Sequence, residues 1–150
     1  MVFVFACVWS IGGGFAEKDN KDYRKDFSNW WKDTWKQIRF PNKGTVFDYF
    51  VDYENNKFEE WSKMEQPDVI KDIDTSKAIS NYTIPTNDTV SIQYLMKLFI
   101  ENEHYPLLVG NAGSGKTQIA KGLINDLVGK QDKFVSQVVN FNFYTDSILL

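Results

Sequence analysis

Apolar residues run almost unbroken from 1 to 11 (Met-Val-Phe-Val-Phe-Ala-Cys-Val-Trp-Ser-Ile), and three glycines at 12–14 close the run. A membrane-crossing helix needs roughly 20 such residues, and no basic residue opens the run as it would in a secretory signal. The pattern predicts a buried helix whose covering partner lies outside this chain. Residues 18–38 then repeat at helical spacing. Tyr23, Phe27, Trp30, Trp31, Thr34 and Ile38 share one face, while Lys21, Asp22, Lys25, Asp26, Lys32, Asp33 and Lys36 fill the other. Asp19 or Asn20 is the expected N-cap. Pro41 stops the helix, and Phe40 before it is biased toward extended backbone. The Trp-rich face suits packing against a neighbouring element better than a ligand-stacking platform.

Residues 44–53 are rich in β-branched and aromatic side chains, residues 54–57 are turn-like, and residues 58–61 return, which predicts a β-hairpin. Residues 62–79 have no clean period and read as a surface connection. From residue 82 the pattern tightens. Residues 84–88 form a loop with several possible caps, and residues 89–103 a helix with Val90, Tyr94, Leu95, Leu98 and Phe99 on one side. Residues 106–109 (Pro-Leu-Leu-Val) have the apolar character of a buried strand. Residues 118–128 continue as a helix with Ile119, Leu123 and Leu127 spaced by four, which Gly129 can end, and residues 134–143 give a second strand. The expected class is α/β: a partial P-loop core of strand, phosphate loop, helix and strand, preceded by an aromatic-rich helix and a β-hairpin.

Composition divides the chain. All 5 Trp of the 150 residues lie at or before Trp61, so a length that suits one domain carries two differently built halves. The formal net charge of −3 argues against a broad surface for nucleic-acid backbones. A local phosphate site depends on backbone amides more than on net charge and stays open. Neither a nucleic-acid nor a membrane partner is expected. Cys7 is the only cysteine and His104 the only histidine. Internal disulfides, cysteine metal clusters and histidine-dependent triads therefore drop out. His104 reads as a solvated helix-end residue.

Residues 110–117 fit G-x-x-x-x-G-K-[ST] at every fixed position: Gly110, Asn111, Ala112, Gly113, Ser114, Gly115, Lys116 and Thr117. Gly110, Gly113 and Gly115 are expected to let the backbone aim consecutive N–H groups inward, making an anion cradle with the start of the next helix. Lys116 is the expected phosphate cation and Thr117 the expected Mg²⁺ ligand, with ATP or ADP as the nucleotide. Hydrolysis needs more, including a carboxylate at the end of another strand. Asp146 is the only geometric candidate, and Asn140 and Asn142 interrupt the apolar run before it. It reads as an ordinary strand-end residue, so no catalytic residue is assigned.

The ordered set of motifs resembles one family over nearly the whole chain, the dynein heavy chains, and among them the axonemal ones at their third AAA+ module. The resemblance is carried by residues 5–13, 22–24, 30–31, 40–49, 57–58, 61, 85–89, 108–117 and 141–145. It implies a parent that is a minus-end-directed microtubule motor ATPase driving ciliary or flagellar movement, with a ring of six AAA+ modules on one chain. The implied partners are the rest of that ring, intermediate and light chains, and the microtubule, the last through parts of the parent outside this chain. The implied location is the cytoplasm and cytoskeleton, at the axoneme. On this basis residues 1–14 are expected to be the tail of a preceding module, residues 15–81 an inter-module helix and hairpin, and residues 82–150 the first part of an incomplete nucleotide-binding core. Many relatives carry Arg where this chain has Ser91, and often Thr where it has Ser114. The chain is expected to be a fragment, inactive alone, that stops before the Walker B motif, the sensor and the lid and lacks an arginine finger. The alternative reading is a stand-alone, non-hydrolysing nucleotide-binding or interaction module. A small P-loop kinase would need acceptor and lid residues that the sequence does not offer.

Overall fold

A computed structural model describes residues 1–64, 84–130, 134–142 and 145–146. Most of the connection expected over residues 62–79 lies outside the described residues. Helix α1 (Val2–Gly12) leads into a minimal hairpin, β1 (Glu17–Lys18) with β2 (Lys21–Asp22), and then α2 (Tyr23–Thr34). A single 3-10 turn (Val46–Asp48) precedes the antiparallel pair β3 (Tyr49–Asp52) and β4 (Lys57–Glu60), and a second such turn covers Trp61–Lys63. Helices α3 (Asn87–Glu101) and α4 (Lys116–Lys130) follow. The described residues thus hold helices and two small sheets, a mixed α/β arrangement of the expected class.

The hairpin before α2 corrects the expected start of that helix. Asp19 and Asn20 both take left-handed φ, 53° and 60°. That is the two-residue turn whose twist matches paired strands, and Asn and Asp tolerate it best after glycine. Neither residue caps the helix. Asp22 does, its carboxylate accepting from the Lys25 N–H at 3.0 Å. Helix α2 also ends earlier than its periodicity suggests. Trp35 leaves helical geometry and stacks on Trp31, with ring centroids 5.7 Å apart. The Lys32 ammonium donates to the carbonyls of Pro41 and Gly44, each at 2.8 Å, drawing the next loop back across the helix. Ile38 therefore reaches the core from a loop. The strand expected from residue 44 is likewise shorter, because Thr45 and Asp48 cap the 3-10 turn reciprocally.

The first core gathers Phe5 and Val8 of α1, Trp31, Phe40, Val46, Phe47, Tyr49, Val51, Phe58, Trp61 and Val90. Full burial of such side chains contributes about 1.5–3 kcal/mol each. Helix α1 finds this cover within the chain, correcting the expectation that its partner lies elsewhere, although Phe3 remains 79% exposed. Gly12 is required by packing: a Cβ there would fall 2.5 Å from Phe27 Cε1 and 2.7 Å from Phe47 Cζ. Trp31 and Trp61 are buried as packing residues, whereas Trp30 and Trp35 are exposed. The second core is Met96 of α3 with Ile119, Leu123 and Leu127 of α4, the three α4 positions spaced by four. Helix α3 serves both cores, since Val90, Tyr94 and Leu95 join the first and Ile92, Met96 and Ile100 the second.

Ser28 is buried in the first core, and its hydroxyl accepts from the Val46 N–H at 3.0 Å. Removing the hydroxyl strands a buried backbone donor, which costs about 1–3 kcal/mol. Ser28→Ala should lower stability by that amount in urea unfolding. A loss below about 0.5 kcal/mol, the usual scale of a surface substitution, would mean that this bond does not hold α2 to the 3-10 turn.

Candidate phosphate-binding loop

Helix α4 begins at Lys116 directly after the glycine-rich loop, which is the context the motif requires. Gly113 and Gly115 take φ of +77° and +81°, with open space where a Cβ would stand. Their role is conformational: alternating ordinary and left-handed residues is the geometry in which successive N–H groups converge on an anion. Gly110 departs from expectation, because its φ is not left-handed. A Cβ there would instead stand 3.2 Å from Ser114 Oγ, so the residue makes room for that contact.

The loop is bound to itself around one backbone oxygen. The Asn111 carbonyl accepts from Ser114 N–H at 3.4 Å, Ser114 Oγ–H at 2.9 Å and the Lys116 ammonium at 2.6 Å. Lys116 also donates to the Gly110 carbonyl at 3.0 Å and to Ser114 Oγ at 3.2 Å. The cation therefore lies over the loop, where its positive charge adds to that of the α4 N-terminus. Asn111, Ala112, Ser114 and Thr117 are exposed. The Ile119 N–H closes the loop onto the helix by donating to the Gly115 carbonyl at 2.9 Å.

The strands expected on either side form no ladder among the described residues, whose two sheets are β1–β2 and β3–β4. Residues 106–109 are extended, but Leu107 and Val109 are 85% and 86% exposed, and only Leu108 packs against the second core. Over residues 134–142 Phe134 alone packs there, and Val135 is 94% exposed. A parallel strand is stabilised by neighbours on both sides and by cover on both faces; among the described residues neither segment pairs with a strand, and only Leu108 and Phe134 pack on the second core. Helix α4 runs through Gly129 to Lys130 and does not end at the glycine. Asp146 is exposed, and the neighbouring Thr145 N–H donates to the Asn142 carbonyl at 3.0 Å. No group of three or more His, Cys, Asp and Glu is placed to hold a metal among the described residues. No helix among them is long and apolar enough to cross a membrane.

Two contributions to the site were missed from sequence. Thr86 and Thr89 cap α3 reciprocally, Thr89 N–H donating to Thr86 Oγ1 at 3.2 Å and Thr86 N–H to Thr89 Oγ1 at 2.7 Å. This starts the helix at Asn87, ahead of the expected position; the Thr-x-x-Thr spacing was the available signal. The Gln93 side-chain amide donates to the Ile119 carbonyl at 3.0 Å, tying α3 to the first turn of α4. Nothing in the sequence marked that contact.

Comparison with known proteins assigns the chain in two parts. Residues 1–63 match the family described as the dynein heavy chain AAA lid domain, and residues 71–150 the P-loop containing dynein motor region. Similar proteins include the dynein alpha chain of the flagellar outer arm of Chlamydomonas reinhardtii, 38% identical over 99% of this chain. Human dynein axonemal heavy chain 17 is 36% identical over 100% of it, and the ciliary dynein beta chain of Tripneustes gratilla is 38% identical over 100%. The chain spans about 3% of the length of each of these relatives. It belongs to the dynein heavy chain family, in the region that carries the P-loop motor domain.

Gly115 and Gly129 make opposed predictions. Alanine at a left-handed position costs about 1–2 kcal/mol, whereas alanine for glycine within a helix gains about 0.5–1 kcal/mol. Gly115→Ala should lower the melting temperature and Gly129→Ala should raise it. Equal shifts in the two variants would contradict the left-handed assignment at Gly115.

Proposed function

We propose that residues 110–117 are the nucleotide-phosphate cradle of an AAA+ module in an axonemal dynein heavy chain. Gly110, Asn111, Ala112, Gly113, Ser114, Gly115, Lys116 and Thr117 are the binding residues, and ATP or ADP is the ligand. The observation that carries this reading is the pair of left-handed glycines leading straight into α4, with the Lys116 ammonium lying across the loop. A phosphate would replace the neutral carbonyl acceptors of Lys116 with charged oxygens, and such charge-assisted bonds are the stronger ones. Thr117, exposed in the first turn of α4, is the residue that would hold Mg²⁺. The ion would supply charge neutralisation between phosphate oxygens. This chain's own residues bind and orient, and none is assigned a catalytic role.

The lid-family match over residues 1–63 and the motor-region match over residues 71–150 support reading the chain as the meeting of two successive modules. Residues 1–14 are then the tail of the preceding module, residues 15–81 the connection, and residues 82–150 the first part of the nucleotide-binding core. The names of the relatives support an axonemal setting in cilia or flagella. There the remaining heavy-chain ring, the accessory chains and the microtubule are the partners of a minus-end-directed motor.

Lys116→Ala removes one charged donor, worth about 1.5–3 kcal/mol, or roughly 10- to 100-fold in affinity. Titration with a fluorescent ADP analogue should show that loss. Equal binding by the variant, or no binding by the unsubstituted chain, would contradict the proposal.

A further inference from the structure

We infer that Gln93 is a positioning residue for the phosphate loop, holding the first turn of α4 in the orientation that presents the cradle; this rests on the nucleotide-phosphate reading above. Ile119 is the junction. Its N–H donates to the Gly115 carbonyl at 2.9 Å, and its carbonyl accepts from the Gln93 side-chain amide at 3.0 Å. A helix carbonyl has two lone pairs, so it can take this bond beside its helical one. The Ile119 side chain is buried in the second core, so the junction is fixed by packing as well. Lys116 and Thr117 lie within the same helical turn and share its orientation.

Gln93 is anchored in its turn from the opposite direction. Its neighbour Tyr94 packs on Trp61 and Phe5, with ring centroids 5.3 Å and 6.3 Å away, and its hydroxyl lies 3.4 Å from that of Tyr53. Consecutive helical residues project about 100° apart. One turn of α3 therefore grips the aromatic core with Tyr94 and the phosphate-loop helix with Gln93. The orientation of the cradle is thereby referred to the first core across a single helix.

The test uses the full chain with two readouts and Ser28→Ala as a control for general loss of stability, since that variant removes the hydrogen bond to Val46 N–H, away from α3 and the loop. Gln93→Met keeps the length of the side chain and removes its donor. It should speed amide hydrogen exchange over residues 116–120 and weaken binding of a fluorescent ADP analogue about three- to tenfold, the scale of one hydrogen bond. Ser28→Ala should do neither. Unchanged exchange over residues 116–120, or an equal loss of affinity in Ser28→Ala, would overturn the positioning role. If the unsubstituted chain fails to bind the analogue, the phosphate reading falls, and exchange alone decides whether Gln93 holds the turn.

Discussion

Trp61 is 1% exposed, and its indole N–H donates to the Phe47 carbonyl at 2.7 Å. A buried indole usually finds a partner for that donor, as Trp61 does, and the bond fixes the ring's orientation as well as its depth. Four rings then pack around it: Phe5 and Trp9 of α1, Phe50 of β3 and Tyr94 of α3, with centroids 5.3–6.3 Å away. One side chain therefore sets the distances among the opening helix, the 3-10 turn, the hairpin and α3. Trp61 lies within the residues matched to the lid family and Tyr94 within those matched to the motor region, so this ring contact joins the two.

From that contact the constraint passes along α3. Its reciprocal threonine cap fixes where the helix begins, Tyr94 fixes its rotation against the aromatic core, and Gln93 and Met96 engage α4. Helix α4 in turn fixes where the phosphate loop ends, through Ile119 and Gly115. The loop is exposed, and its shape is held by internal hydrogen bonds converging on Asn111 and Lys116. On the proposed reading, an anion would take over the Lys116 ammonium from these internal acceptors.

Much of this was legible in the sequence, for identifiable reasons. The glycine loop answers to local backbone demands, so the left-handed turns at Gly113 and Gly115 and the helix start at Lys116 were legible, whereas Gly110 is not left-handed. The positions Ile119, Leu123 and Leu127 were legible because helical period alone places them together. The N-cap of α2 was misplaced because Asp19, Asn20 and Asp22 are all competent caps by type. What separates them is a two-residue turn that depends on pairing Glu17 with Asp22. The segments around residues 106–109 and 134–142 carry strand composition, but a strand is defined by its neighbours, and composition does not supply them. Gln93 was illegible because its partner is a backbone carbonyl 26 residues away in sequence.

The central claim, that the glycine loop and the first turn of α4 form one phosphate cradle, is tested most directly by nuclear magnetic resonance on the isotope-labelled chain during titration with ADP. The largest amide shifts should fall on Gly113, Gly115, Lys116 and Thr117, and the Lys116 ammonium should leave its carbonyl partners. Shifts centred instead on the cleft lined by Lys32, Trp35, Lys36 and Arg39, or no shifts at saturating ADP, would contradict it.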